Sequence, residues 1–141
     1  QKLIKDLGIV HEVKIFSSEE DSKLEIFYSA CDIFVLPCKF IEPNDVEGWG
    51  IVFSEASFFG KACIGGNTGG VSESVIDNFT GFLVNPESSK ELIHKISLLL
   101  SNQNLRDKLG KNGANYVSKQ LDDIPSDYLV KLFNISSCQE A

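Results

Sequence analysis

The feature that most restricts this chain is a continuous apolar run, Ile33-Phe34-Val35-Leu36, stopped by Pro37. A strand with one wet face alternates apolar and polar residues. A strand that does not alternate is covered on both faces, as in a parallel sheet. Parallel neighbours need crossover connections, and the flanking sequence supplies helical patterns. In Asp21 to Ala30, Leu24, Phe27 and Tyr28 fall at i, i+3, i+4, the spacing of a buried helical face. A loop rich in Pro, Asn, Asp and Gly follows Pro37, then a helix from about Ile51 to Phe59 that stops at Gly60.

The alternation continues. Val13 to Phe16 reads as a short strand before the first of these helices, and Ala62-Cys63-Ile64 as a short strand after Gly60. Gly65-Gly66-Asn67-Thr68-Gly69-Gly70 reads as a loop, Val71 to Ile76 as a short helix, and Gly81-Phe82-Leu83-Val84 as a strand. Ser88 or Ser89 can cap a helix to Leu100, with Glu91 near its positive end, and Asn102 to Lys119 is a more polar helix. The economical architecture is α/β, a Rossmann-like open parallel sheet with helices on both faces. Residues 1–121 are expected to form part of such a domain, and residues 122–141 a tail whose form the weak periodicity leaves open. Gln1 to Leu7 reads as the last turns of an amphipathic helix closed by Gly8. The chain is therefore expected to be a piece of a longer one, with the amino-terminal part of the domain lying upstream.

Composition excludes several function classes. A net charge of −7 gives no basic surface for nucleic acid and no support for docking on an anionic membrane. The longest apolar runs fall far short of the roughly 20 residues that span a bilayer. A phosphate-bearing small ligand remains open, because backbone N–H groups can hold it without basic side chains. Cys31, Cys38, Cys63 and Cys138 show neither C-x-x-C nor zinc spacing, so buried structural thiols in a reducing cytosol are expected, and no metal site. His11, in a turn, and His94, on a helix, read as surface residues.

In such sheets ligands bind beyond the carboxyl ends of the strands. Two loops lie there, 38–50 and 65–70. The first ends in Glu47-Gly48-Trp49-Gly50, immediately before the helix Ile51-Val52-Phe53-Ser54-Glu55. Two glycines before a helix start let a ligand approach the backbone, and the first N–H groups of the helix have no intrahelical partner. A diphosphate suits that geometry; so does an ordinary tight turn. On the helix, Ser54, Ser57 and Lys61 share one face, whereas Glu55 is flanked by Ile51, Val52, Phe58 and Phe59. A carboxylate in that setting needs a partner. It is either solvated on a face that is in fact exposed, or an acceptor for two neighbouring hydroxyls such as those of a ribose.

The segment Glu47 to Ala56 resembles the E-x7-E motif of retaining glycosyltransferases with the GT-B fold, family 4. Three more segments are similar to that family in order and spacing: Tyr28 to Pro37, Gly60 to Glu73, and Asn78 to Pro86. The resemblance implies that this is the nucleotide-sugar-binding half of a two-domain enzyme. In that case Glu55 binds the ribose hydroxyls, and Glu47 lies beside the donor sugar and supports charge in an oxocarbenium-like transition state. The backbone of Gly48, Trp49 and Gly50 contacts the sugar, while the N–H groups of Gly50, Ile51 and Val52 meet the diphosphate. The stretch near Phe16-Ser17 faces the base. For Gly69, Gly70 and Glu73 a turn and a favoured helix start are an equal reading.

The implied substrate is a GDP- or UDP-sugar, with no cofactor and no metal. The partner is an upstream acceptor domain, and the implied location is cytoplasmic, with peripheral membrane attachment only through that domain. Trp49 and Ser72 depart from the family's usual Phe and Pro. The Arg and Lys that stabilise the leaving diphosphate would precede Gln1, so this piece alone is expected to bind the donor without turnover. A non-catalytic nucleotide-sugar-binding module or degenerate paralogue is the alternative. A receiver-like doubly wound domain is a third, and it lacks the acidic cluster such a domain shows at its first strand end.

Overall fold

The computed structural model describes residues 1–16, 21–38 and 50–122, apart from the side chains of 21–22 and 121–122. Within them three parallel strands, β1 (Ile33–Leu36), β2 (Ala62–Gly66) and β3 (Gly81–Val84), lie side by side in chain order. The register pairs Ile33 with Ala62 and Val35 with Ile64, then Ile64 with Phe82 and Gly66 with Val84. The helices are α1 (Lys2–Asp6), α2 (Asp21–Ala30), α3 (Ile51–Phe58), α4 (Val71–Ser74), α5 (Ser89–Ser101) and α6 (Gln103–Asp122).

Successive strand residues point to opposite faces, and here both faces are covered. On one side Phe34, Leu36, Cys63 and Leu83 pack with Tyr28 of α2, Phe53 and Ala56 of α3, and Val71 of α4. On the other, Ile33, Val35, Ala62, Ile64, Phe82 and Val84 pack with Leu92, Ile96 and Leu99 of α5 and Leu105 and Leu109 of α6. The non-alternating run at Ile33–Leu36 is therefore a strand with apolar layers above and below it. α6 also crosses to α3: Gly110 lies against the carbonyl of Gly60, where a Cβ would collide with backbone, and a Cβ at Gly113 would stand 3.2 Å from Ser57 Cβ. Ser57 is thus buried in a helix contact and does not share an open polar face with Ser54 and Lys61.

The helix ends follow local chemistry. Gly8 (φ 71°) donates to Lys5 O and Ile9 to Ile4 O; Gly60 (φ 70°) donates to Ser57 O and Lys61 to Ala56 O. Both are left-handed C′ glycines closing paired terminal hydrogen bonds. Ser88 Oγ accepts from Glu91 N at 3.3 Å, and Glu91 Oε2 accepts from Asn85 N at 2.9 Å. His11 and His94 are exposed. Cys63 is buried and Cys31 and Cys38 are half-buried. No helix among the described residues is long and apolar enough to cross a membrane.

Two expectations need correction. Val13 to Phe16 is not a strand: it finds no ladder partner among the described residues and stays exposed, the Phe16 ring lying edge-on to Phe27 with centroids 4.7 Å apart. The local sequence alone could not reveal that none of the described strands lies beside it. Gly65 and Gly66 belong to β2, not to the loop. They pair in the ladder, Gly65 with Leu36 and Leu83 and Gly66 with Val84, and neighbours close on them, a Cβ on Gly65 standing 2.7 Å from Val71 Cγ1 and one on Gly66 colliding with the Cys38 backbone. α4 is correspondingly brief, ending at Ser74 rather than Ile76. The tail expected from residue 122 onward lies outside the described residues, save that α6 includes Asp122.

Candidate functional site at the carboxyl edge of the sheet

The start of α3 is built around Gly50. Its φ of 61° and ψ of 58° place it in the left-handed region, which L side chains enter at a cost. The turn brings the Phe53 amide back to Gly50 O at 2.9 Å. Among the described residues no backbone acceptor meets the N–H groups of Gly50, Ile51 and Val52. Those groups carry the positive end of the helix dipole. Ile51 is exposed, Val52 half-buried and Gly50 buried.

Phe53 holds this turn against the sheet. Its ring is fully buried, edge-on to Phe34 at 5.5 Å, and so close to Gly50 and Gly65 that a Cβ on either would fall within 3.3 Å of it. The helix start following β1 and the glycines ending β2 are thereby locked together, both at the carboxyl edge. Thr68 Oγ1 reaches Cys38 O at 3.4 Å and Asn67 N donates to Val84 O at 2.8 Å, which ties the ends of all three strands.

Glu55 lies one turn further along α3, half-buried. Its Oε2 accepts a hydrogen bond from Tyr28 Oη at 2.8 Å. Tyr28 is 9% exposed, its ring stacked on Phe59 at 5.8 Å and tilted against Phe34 at 5.8 Å. Burial first, then the hydrogen bond to Glu55 and its charge, push the phenol above its ordinary range, so it stays a donor. The partner that the apolar setting of Glu55 demanded is thus Tyr28. The helix periodicity marks Tyr28 only as a core residue. Its hydroxyl was the available signal, because a buried tyrosine O–H seeks an acceptor.

The described residues bring together Gly50, Ile51, Val52 and Glu55. Glu47, Gly48 and Trp49 lie outside them, as does Ser17. Phe16 is exposed. Gly69 has a φ of 53° and Gly70 precedes α4, while Glu73 is exposed and accepts at its backbone carbonyl from Tyr116 Oη at 3.1 Å. Turn and helix-start roles account for these three.

Comparison with known proteins gives a consistent group. Residues 1–116 match the family model described as glycosyl transferases group 1. The chain is similar to a GDP-mannose-dependent alpha-(1-6)-phosphatidylinositol monomannoside mannosyltransferase from Mycobacterium tuberculosis, 33% identical over 121 residues, which is 85% of this chain and 31% of that protein. It thus spans about a third of the length of the curated relatives it matches first. Among solved structures, the C-terminal domain of a glycosyl transferase group 1 family protein from Francisella tularensis superposes with a TM-score of 0.72 at 28% identity, covering 84% of this chain and 58% of that one. The Anabaena protein HepE in complex with UDP-glucose superposes with a TM-score of 0.71 at 26% identity, covering 84% of this chain and 30% of that one.

Proposed function

The chain belongs to the group 1 glycosyl transferases, and from that premise we propose that it is the donor-binding part of a retaining, metal-independent GT-B hexosyltransferase. The enzyme would move a sugar from a GDP- or UDP-sugar to a glycan, lipid or small-molecule acceptor held by another domain. Residues 1–121 belong to the donor domain in this reading, which takes no cofactor beyond the sugar nucleotide. Free thiols at Cys31 and Cys63 suit a reducing cytosol, where we place the protein, with any membrane contact made through the other domain.

The observation that carries the reading is the pairing on one helix of a left-handed glycine start with a half-buried carboxylate. Gly50, Ile51 and Val52 offer N–H groups to a diphosphate, and Glu55 sits one turn away with its carboxylate fixed by Tyr28. The sugar nucleotides of two relatives, GDP-mannose and UDP-glucose, carry the same diphosphate and ribose and so support it. In the reaction the bond from the anomeric carbon to the diphosphate oxygen breaks, with its electron pair leaving on the phosphate. The acceptor oxygen then bonds to the same face of the sugar and gives up its proton to the departing phosphate oxygen. Glu47 offers negative charge to the oxocarbenium-like carbon, the backbone of Gly48, Trp49 and Gly50 contacts the sugar, and the helix dipole stabilises the leaving group.

Calorimetry with GDP and UDP tests the assignment. Glu55→Ala removes the acceptor for two hydroxyls and is expected to weaken the bound nucleotide by roughly tenfold or more. Unchanged affinity would contradict the ribose role. In the whole enzyme, Glu47→Ala should reduce transfer far more than it reduces binding. Equal losses would make Glu47 a donor-holding residue only, and binding without any transfer by the unaltered enzyme would point to a non-catalytic module.

A further inference from the structure

Tyr28 is more polar than its packing requires. Its ring fills a slot between Phe34 on β1 and Phe59 at the end of α3, and a phenylalanine would fill the same slot. What the hydroxyl adds is the 2.8 Å hydrogen bond to Glu55 Oε2. A glutamate side chain turns about three bonds, and on a half-exposed helix face it samples several rotamers. Anchoring one oxygen to a rigid ring removes most of that freedom and sets the plane of the carboxylate. A phenol performs this without cancelling the charge, whereas a lysine or arginine partner would neutralise it. Desolvation by burial keeps the Tyr28 proton in place, so the anchor persists through the neutral range.

We infer that Tyr28 is a positioning residue: its hydroxyl presets the Glu55 carboxylate for the two ribose hydroxyls and so enlarges the preference for ribonucleotides. The inference rests on the ribose role proposed for Glu55. Preorganisation of this kind raises affinity by removing the ordering cost at the moment of binding. It predicts that the Tyr28 hydroxyl matters only when the ligand has hydroxyls for Glu55 to hold.

The experiment titrates GDP, UDP and their 2′,3′-dideoxy counterparts into the wild-type protein and Tyr28→Phe, with thermal unfolding to confirm that both are folded. The wild type is expected to favour the better-bound ribonucleotide over its dideoxy form. Tyr28→Phe should weaken the ribonucleotide by about fivefold, the scale of one net hydrogen bond, and change the dideoxy nucleotide less than about twofold. The ratio of the two affinities therefore falls. An unaltered ratio in Tyr28→Phe, whether or not both affinities drop together, would overturn the inference and leave the hydroxyl a packing detail. If the wild type does not distinguish ribo from dideoxyribo ligands, or binds neither nucleotide, the ribose role of Glu55 fails and this inference with it. Should Tyr28→Phe unfold, Phe59→Leu serves instead. It keeps the hydroxyl but removes the ring stacked on Tyr28, and should lower the same ratio; no change in it would overturn the inference.

Discussion

The sharpest structural test is Gly50→Ala. Gly50 sits at φ 61°, ψ 58°, where an L side chain costs roughly 1–2 kcal/mol. An added Cβ would stand 2.8 Å from Phe53 Cδ2 and 3.2 Å from Cε2. That ring has little room to yield, being fully buried between Phe34 and the β2 backbone at Gly65. Overpacking of this kind costs about 1–3 kcal/mol. The stiffer unfolded chain returns about 0.4–1 kcal/mol. The net loss is therefore about 2–4 kcal/mol, and for a chain of this length the melting temperature should fall by roughly 6–15 °C.

Thermal and urea unfolding of Gly50→Ala, Phe53→Leu and the double variant separate the two contributions. The double variant relieves the ring clash and leaves the backbone strain, so its loss should be smaller than the sum of the single losses. Affinity for GDP or UDP should fall in Gly50→Ala as well, since the same turn aims the first amides of α3. A loss below about 1 kcal/mol in Gly50→Ala, or strict additivity in the double variant, would refute this account of why glycine stands there.

Two further outcomes concern the frame. Burial pushes the Cys63 thiol from its ordinary 9.0 up to about 12, so above about pH 9 the unfolded chain sheds this proton first. Stability from Cys63 is complete below that value and declines from about pH 9 to 12; a Cys63→Ala variant whose urea midpoints fall as steeply as wild type over that range would contradict it. Ser88→Ala removes the side-chain cap received from Glu91 N, and should cost about 1 kcal/mol in chemical unfolding, an unchanged midpoint showing the cap to be dispensable.

Much of the frame was legible in the residues because local physics decided it. Ile33–Leu36 has no polar alternation, so it had to be covered on both faces, and α5 and α6 lie opposite α2, α3 and α4 across it. Gly8 and Gly60 end helices because the left-handed C′ position admits glycine without strain. Gly50 before Ile51 announced a helix start at a strand's carboxyl edge for the same reason. None of these depends on a distant neighbour.

Other features depend wholly on one. Val13 to Phe16 has the composition of a strand, but a ladder needs a second backbone alongside. Gly65 and Gly66 look like the opening of a loop, and pairing with Leu36, Leu83 and Val84 on the neighbouring strands makes them strand. Ser57 looks like a surface serine until Gly113 of α6 covers it. Glu55 needed a partner if its helix face was covered, yet only the packing of α2 against α3 could choose Tyr28, because the two lie far apart in the chain and meet through rings rather than through any local pattern.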